Sequence, residues 1–351
     1  KMEPSVNFPV FQPINVNRKV YSKGFVGDGS TGIQCVRFDP LDRFLAAGCE
    51  DGTIRIFSMR NSKLVYMLNQ QRRETQANEE EKVTSTCIRW RPTTSSSKTK
   101  NVLISVHADG SVQHWHVTSG KCLHRLYSAN NPLYCADFAP DGTRFATAGR
   151  DLIVRVYDET TKQAVVEFQP GGSGSPGHSN RIFSVKFYSQ DPNILISGGW
   201  DNTVQVWDIR EGCAVRAIFG PHVCGDTLDI KDGVILAGSW REREQLQNFY
   251  LGSGECICTI DWDGGVGIRR SAEPCKLYSA QYSKHDEGEM ILAGGSNEAR
   301  FFDTMNYNKP FAAVMDLPNS VFSTDFSYSG DMAAIGCSDG YARLVTITKT
   351  V

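Results

Sequence analysis

The sequence predicts an all-β protein built from one antiparallel unit repeated seven times. Three observations carry this. Short apolar runs of strand length recur along the chain, separated by breaks rich in Asp, Asn, Gly and Pro. The runs fall into a fixed order of types within each unit. The unit then returns at near-regular spacing, the signature of a repeat architecture. The clearest unit is His178 to Arg210, HSNRIFSVKFYSQDPNILISGGWDNTVQVWDIR, preceded by Gly177.

Within each unit the first strand, a, ends in an aromatic or apolar residue. The seven are Cys35-Val-Arg-Phe38, Cys87-Ile-Arg-Trp90, Cys135-Ala-Asp-Phe138, Ser184-Val-Lys-Phe187, Thr227-Leu-Asp-Ile230, Ser279-Ala-Gln-Tyr282 and Ser323-Thr-Asp-Phe326. Strand b is apolar and then small, as in Leu45-Ala-Ala-Gly48, Phe145-Ala-Thr-Ala148 and Leu195-Ile-Ser-Gly198. Small residues suit a place where sheets converge. A turn follows with Asp51, Asp109, Asp151, Asp201 or Asp339; Asn297 approximates it in unit six. Unit five has Arg241-Glu-Arg-Glu-Gln245 there and departs most. Strand c ends at Phe57, Trp115, Tyr157, Trp207, Phe249, Phe302 and Val345, and a strand d follows in units one to six.

On these residues the chain resembles the WD40-repeat family, whose four-stranded blades surround a central channel. The resemblance implies a single seven-bladed β-propeller over residues 1–351, with blades starting near 33, 84, 133, 182, 227, 277 and 321. The full Gly-His…Asp…Trp-Asp set is intact only in unit four. The family's hydrogen-bonded tetrad would there be His178, Ser197, Asp201 and Trp207. Unit seven lacks a strand d, and an open edge is a liability. Within the N-terminal segment 1–24, the stretch around Arg18 to Ser22 is expected to supply that strand and close the ring. Pro4 to Pro13 is expected to pack along the outside or stay partly loose.

Composition narrows the function classes. Net charge is 37 − 39 = −2, so a diffuse electrostatic hold on nucleic acid or acidic lipid is not expected. No apolar run approaches the roughly 20 residues of a membrane span. The 11 cysteines are an odd number spread over most units. Cys35, Cys87, Cys135, Cys256 and Cys258, inside strand patterns, read as small buried hydrophobes in a reducing, cytoplasmic or nuclear compartment. The start at Lys1 leaves both a full-length protein and an excised domain open.

No catalytic constellation is complete. Gly27 to Gly32 (GDGSTG) formally matches GxGxxG, but a strand pattern follows it where phosphate binding needs a helix. His114 with His116, Cys256 with Cys258, and His222 near Cys224 lack a second pair at zinc spacing. No catalytic residue, metal or cofactor is therefore assigned. The alternative of a propeller enzyme with a central-channel active site rests on fold alone.

The expected function is a non-enzymatic protein-interaction scaffold, a monomeric propeller within a larger complex. Gln70 to Lys82, Phe168 to Gly177, Arg241 to Gln245 and Asp261 to Cys275 are insertions on the face carrying the d–a and b–c loops, here the top. Only Thr93 to Lys100 is a clear insertion on the bottom. In the family, partner contacts often come from three positions per blade. The first holds Gln34, Thr86, Tyr134, Phe183, Asp226, Tyr278 and Phe322. The second gives Arg181 and Lys276; the third gives Glu50, Ala108, Arg150 and Trp200, with Trp240 in the corresponding region of unit five. Aromatic residues and Arg dominate binding at interface centres. The expected partner surface is therefore Tyr134, Arg150, Arg181, Phe183, Trp200, Trp240, Tyr278 and Phe322, meeting an amphipathic segment with acidic residues. Trp207 to Arg210 also resembles the WDxR box of substrate receptors of cullin–RING ubiquitin ligases. In that alternative, Asp208 and Arg210 contact the ligase adaptor.

Overall fold

The computed structural model describes residues 8–13, 18–69, 83–93, 99–171, 177–265, 267–285 and 288–349. It forms a ring of seven antiparallel sheets, a seven-bladed β-propeller. Strand a lines the axis in every blade: Ile33–Phe38, Ser85–Trp90, Leu133–Phe138, Ile182–Phe187, Leu228–Lys231, Leu277–Tyr282 and Val321–Phe326. Strands b and c are almost wholly buried, whereas strand d is largely exposed, as in Leu64–Leu68 and Ala164–Phe168, where only the last residue is buried. That gradient corrects one expectation. Cys256 is exposed and Cys258 only half-buried, because both sit on the outermost strand of blade five, Cys256–Thr259.

The ring closes through the N-terminal strand Arg18–Gly27, which pairs with Tyr341–Lys349 from Arg18↔Lys349 to Gly27↔Tyr341. It becomes strand d of blade seven and runs five residues beyond Ser22. Gly27 ends it at φ 110°, where a Cβ would lie 2.2 Å from the Gly340 carbonyl oxygen. Glycine is thus required by close backbone approach, and the segment after it runs into the strand at Ile33, not into a helix.

Residues 8–13 do more than cover the outside. Val10–Phe11 adds a fifth strand to blade six, pairing with Val314 and Ala313. The side chain of the adjacent Gln12 then acts like a peptide group toward blade seven. Its Nε2 donates to the Val20 carbonyl at 3.0 Å, and its Oε1 accepts from the Val20 amide at 2.8 Å. Phe8 is buried among Val20, Phe311 and Ile347, and Arg269 lies over the Phe11 ring. One short segment therefore staples blade six to the ring-closing strand of blade seven.

A second feature positions the functional surface. In six blades the pairing of strands a and b slips by one residue near the top, between Ile33 and Cys35, Ser85 and Cys87, Leu133 and Cys135, Ile182 and Ser184, Leu277 and Ser279, and Val321 and Ser323. The residue skipped is a β-bulge, which leaves the ladder and re-aims its side chain. Those residues are Gln34, Thr86, Tyr134, Phe183, Tyr278 and Phe322. Blade five has no such slip; its Asp226 precedes the strand and bridges to Ser279 of blade six.

A candidate top-face interaction site

The six bulge residues and Asp226 all line one cavity of about 170 Å³ at the top of the channel, with Cys35, Cys87, Cys135 and Cys224 among its other walls. Its floor is a set of ion pairs. Arg37 and Arg89, from blades one and two, both reach Asp226 of blade five, Arg89 Nη2 at 2.8 Å. Arg89 Nε also lies 3.3 Å from Asp137. Below, Asp325 accepts from the Phe38 amide and pairs with Lys284, each at 2.7 Å. Asp137 and Asp229 accept the amides of Phe187 and Tyr282 in the next blade, at 2.9 and 2.8 Å. These carboxylates are committed to cations and backbone donors.

On one side of the cavity the aromatic residues form a continuous ladder. Tyr134 stacks on Phe183 with centroids 4.7 Å apart and planes 11° apart. Phe183 stacks on Trp200 at 5.0 Å, and Trp200 on His222 at 6.4 Å. The Arg181 guanidinium lies 5.3 Å above the Trp200 ring, within cation–π range. Trp200 Nε1 donates to Cys224 Sγ at 2.9 Å, and burial pushes the Cys224 thiol up to about 11. Trp200 nevertheless stays 37% exposed, so the ladder ends in a presented face. Across the cavity Tyr278 and Phe322 meet edge to face at 5.1 Å.

The structure thus gathers Tyr134, Phe183, Tyr278 and Phe322 around the cavity, with Trp200 and Arg181 on the rim. Trp240 lies outside the lining, 37% exposed, under Lys276 Nζ at 4.6 Å. Its amide donates to the His222 carbonyl at 2.9 Å, so it adjoins the end of the ladder. Arg150 is exposed on the b–c turn of blade three, also outside the lining. Of the top insertions, 70–82 and 172–176 lie outside the described residues, as do 94–98 of the bottom one.

Blade four holds its four polar residues in one hydrogen-bonded chain. Asp201 Oδ2 is 2.7 Å from His178 Nδ1; His178 Nε2 is 2.7 Å from Ser197 Oγ, which accepts from Trp207 Nε1 at 2.7 Å. Burial opposes the charge on Asp201, but hydrogen bonding and proximity to His178 outweigh it and lower its pKa. The other turn aspartates solve the same problem differently. Arg55, Arg155 and Arg343 pair with Asp51, Asp151 and Asp339 four residues earlier, at 3.8, 2.6 and 2.7 Å, and Arg125 lies 3.6 Å from Asp109. A largely buried carboxylate needs a partner, and either His or Arg supplies it. Blade two keeps Trp115 Nε1 on Ser105 Oγ at 3.0 Å, with His107 Nε2 at 2.9 Å, drawing its histidine from the end of strand b. Blade six buries Arg300 fully, against Glu298, Asp263, Ser271 and the Trp262 carbonyl.

At the bottom of blade four the Arg210 guanidinium holds its own Asp208, through Nε at 2.9 Å and Nη2 at 2.7 Å, and reaches Asp191 at 3.2 Å. The pair is joined within the blade, and Arg210 remains exposed. Among the described residues, no three His, Cys, Asp or Glu side chains are grouped to hold a metal, and no helix is long and apolar enough to cross a membrane.

The family model "WD domain, G-beta repeat" matches residues 120–158 and 173–208, and "Anaphase-promoting complex subunit 4 WD40 domain" matches residues 14–93. Together with seven four-stranded blades, these matches make the chain a member of the WD40-repeat family. It is similar to the serine-threonine kinase receptor-associated protein of Gallus gallus, 24% identical over 74% of this chain and 68% of the relative. It is also similar to the guanine nucleotide-binding protein subunit beta of Oryza sativa, 27% identical over 60% of this chain and 52% of the relative. A third relative, protein tipD of Dictyostelium discoideum, is 25% identical over 51% of this chain and 25% of its own length.

Proposed function

We propose that this chain is a non-enzymatic interaction scaffold that holds a partner protein segment across the top of blades three to five. The ladder Tyr134–Phe183–Trp200–His222 carries this reading, because it offers a preorganised aromatic surface beside a cavity. Rigid aromatics supply contact area at little entropic cost. Arg181 and Arg150 favour a segment with carboxylates flanking an apolar anchor. The names of two relatives, one receptor-associated and one a subunit, are those of proteins that act in association with others. The channel carboxylates, each held by a cation or a backbone amide, favour support over catalysis. Eleven free cysteines, six of them buried, favour a reducing interior, cytoplasmic or nuclear.

The test is affinity purification with mass spectrometry, using wild type, Trp200→Ala and Arg181→Glu. Each substitution should weaken the captured partner by about 2 kcal/mol or more if it removes a hot spot. A partner that binds both variants at full affinity, or that cross-links to the bottom loops, refutes the reading.

A further inference from the structure

Two cysteines on neighbouring blades meet in the cavity wall. Cys35 Sγ is 3.8 Å and Cys87 Sγ 3.9 Å from the same oxygen, the Ile88 carbonyl. Both sulfurs also face the same cation, Arg89 Nη1, at 3.9 and 3.2 Å. Ser323 Oγ donates to Cys35 Sγ at 3.9 Å. The two sulfurs thus share one acceptor and one donor across the seam between blades one and two.

We propose that Cys35 and Cys87 form an oxidisable dithiol, which a hydroperoxide entering the top cavity closes to a disulfide between blades one and two. Access exists, because both residues line a cavity of about 170 Å³, several times the roughly 30 Å³ that one water occupies in the liquid. Reactivity needs the thiolate in an electropositive setting. Burial opposes ionisation of Cys35, but the hydrogen bond from Cys87 and the charges of Arg37 and Arg89 outweigh it and hold that thiol well below its ordinary value. Cys87 shifts the other way, chiefly because it gives its hydrogen bond to Cys35 and also because it is buried. Attacking and resolving roles are therefore distinct. The other cavity cysteines are differently placed. Cys135 donates to the Ala148 carbonyl at 3.6 Å, and Cys224 accepts from Trp200.

The step balances. The Cys35 thiolate attacks one peroxide oxygen, an S–O bond forms, the O–O bond breaks, and the departing hydroxide takes up a proton equal to the one Cys35 released. Cys87 then attacks the sulfenic sulfur, the S–S bond forms, and the second hydroxide leaves with the Cys87 proton as water. Two thiols and one hydrogen peroxide become one disulfide and two waters. The new S–S bond is about 2.05 Å long.

The experiment treats the folded chain with hydrogen peroxide, blocks remaining thiols by alkylation after unfolding, and maps tryptic peptides without reduction. The expected product links residues 24–37 to 83–89, which contain Cys35 and Cys87 as their sole cysteines, and disappears on reduction. In Cys87→Ser, Cys35 should instead be trapped as a sulfenic acid by dimedone. Exposed Cys256 reports that oxidant reached the protein. If Cys256 is oxidised while Cys35 and Cys87 are both recovered alkylated, or if either links to a different cysteine, the proposal is overturned. This readout needs no partner and is independent of the scaffold reading.

Discussion

Arg89 of blade two and Asp226 of blade five join opposite sides of the ring, Nη2 to Oδ2 at 2.8 Å. Arg37 of blade one binds the same carboxylate. This strut floors the top cavity and ties blades that share no sheet or interface. Arg89 is almost wholly buried, and Asp226 and Asp137 compensate its charge.

Replacing Asp226 with Ala leaves two buried guanidinium groups short of a partner. Breaking a buried pair from one side costs about 3–5 kcal/mol, and Asp137 should hold the loss toward the lower end. Urea unfolding should show the drop, and restoring neutrality with Arg37→Met in the same chain should recover part of it. An unchanged midpoint for Asp226→Ala would show that the strut contributes nothing.

Acid should expose His107. Burial lowers its pKa to about 4, against an ordinary 6.5, so the folded state keeps the ring neutral while the unfolded chain protonates it. Stability is therefore full above pH 6.5 and falls as pH drops from 6.5 toward 4. A shift of that size corresponds to about 3 kcal/mol. His107→Gln should flatten this part of the stability–pH curve, whereas an unaltered slope would assign it to other groups.

The staple at Gln12 predicts a local effect. Gln12→Ala removes two hydrogen bonds to Val20, worth about 1–2 kcal/mol together. Faster hydrogen exchange at the Val20 amide, with little change in the inner strands of blades two to four, is the expected pattern. Deleting residues 1–24 goes further, because it strips most of the strand that closes blade seven, and cooperative unfolding should be lost. A truncated chain that melts as sharply as the intact one would place ring closure elsewhere.

For the ligase alternative, the self-contained pairing of Arg210 with Asp208 predicts that Arg210→Glu leaves capture of a cullin–RING adaptor no weaker than wild type. Selective loss of capture in Arg210→Glu would instead favour the receptor reading.

Much of this architecture was legible in the sequence because each blade repeats one chemical logic. The aromatic end of strand a, the small residues of strand b and the turn Asp are all local requirements. Six of the seven first-position residues were countable for the same reason, since the bulge falls at a constant offset from the end of strand a; Asp226 stands at that offset without a bulge. What escaped was non-local. The partners of Asp51, Asp151 and Asp339 were visible as Asp-x-x-x-Arg, but a search guided by the histidine of blade four passes over them. His107 and Glu298 occupy offsets found in one blade each, and Arg300, placed two residues before the end of strand c as Arg55, Arg155 and Arg343 are, finds its acceptors Asp263, Ser271 and the Trp262 carbonyl on the connection before its blade. Nothing near Val10 or Gln12 announces a fifth strand on blade six, because the pairing partner lies about 300 residues away. The stacking of Tyr134, Phe183 and Trp200 likewise depends on how blades three and four abut.

Ring closure also sets a timetable for biosynthesis. Val20 pairs with Ile347, 347 − 20 = 327 residues later in the chain. At about 5–20 residues per second, the ribosome needs on the order of tens of seconds between making one strand and its mate. Throughout that interval the nascent chain carries the strand Arg18–Gly27 without its partner, an unsatisfied edge open to foreign strands. A chaperone that shelters this first strand would act on the vulnerable stage of the molecule's life, and its absence should show as aggregation during translation, not in the finished protein.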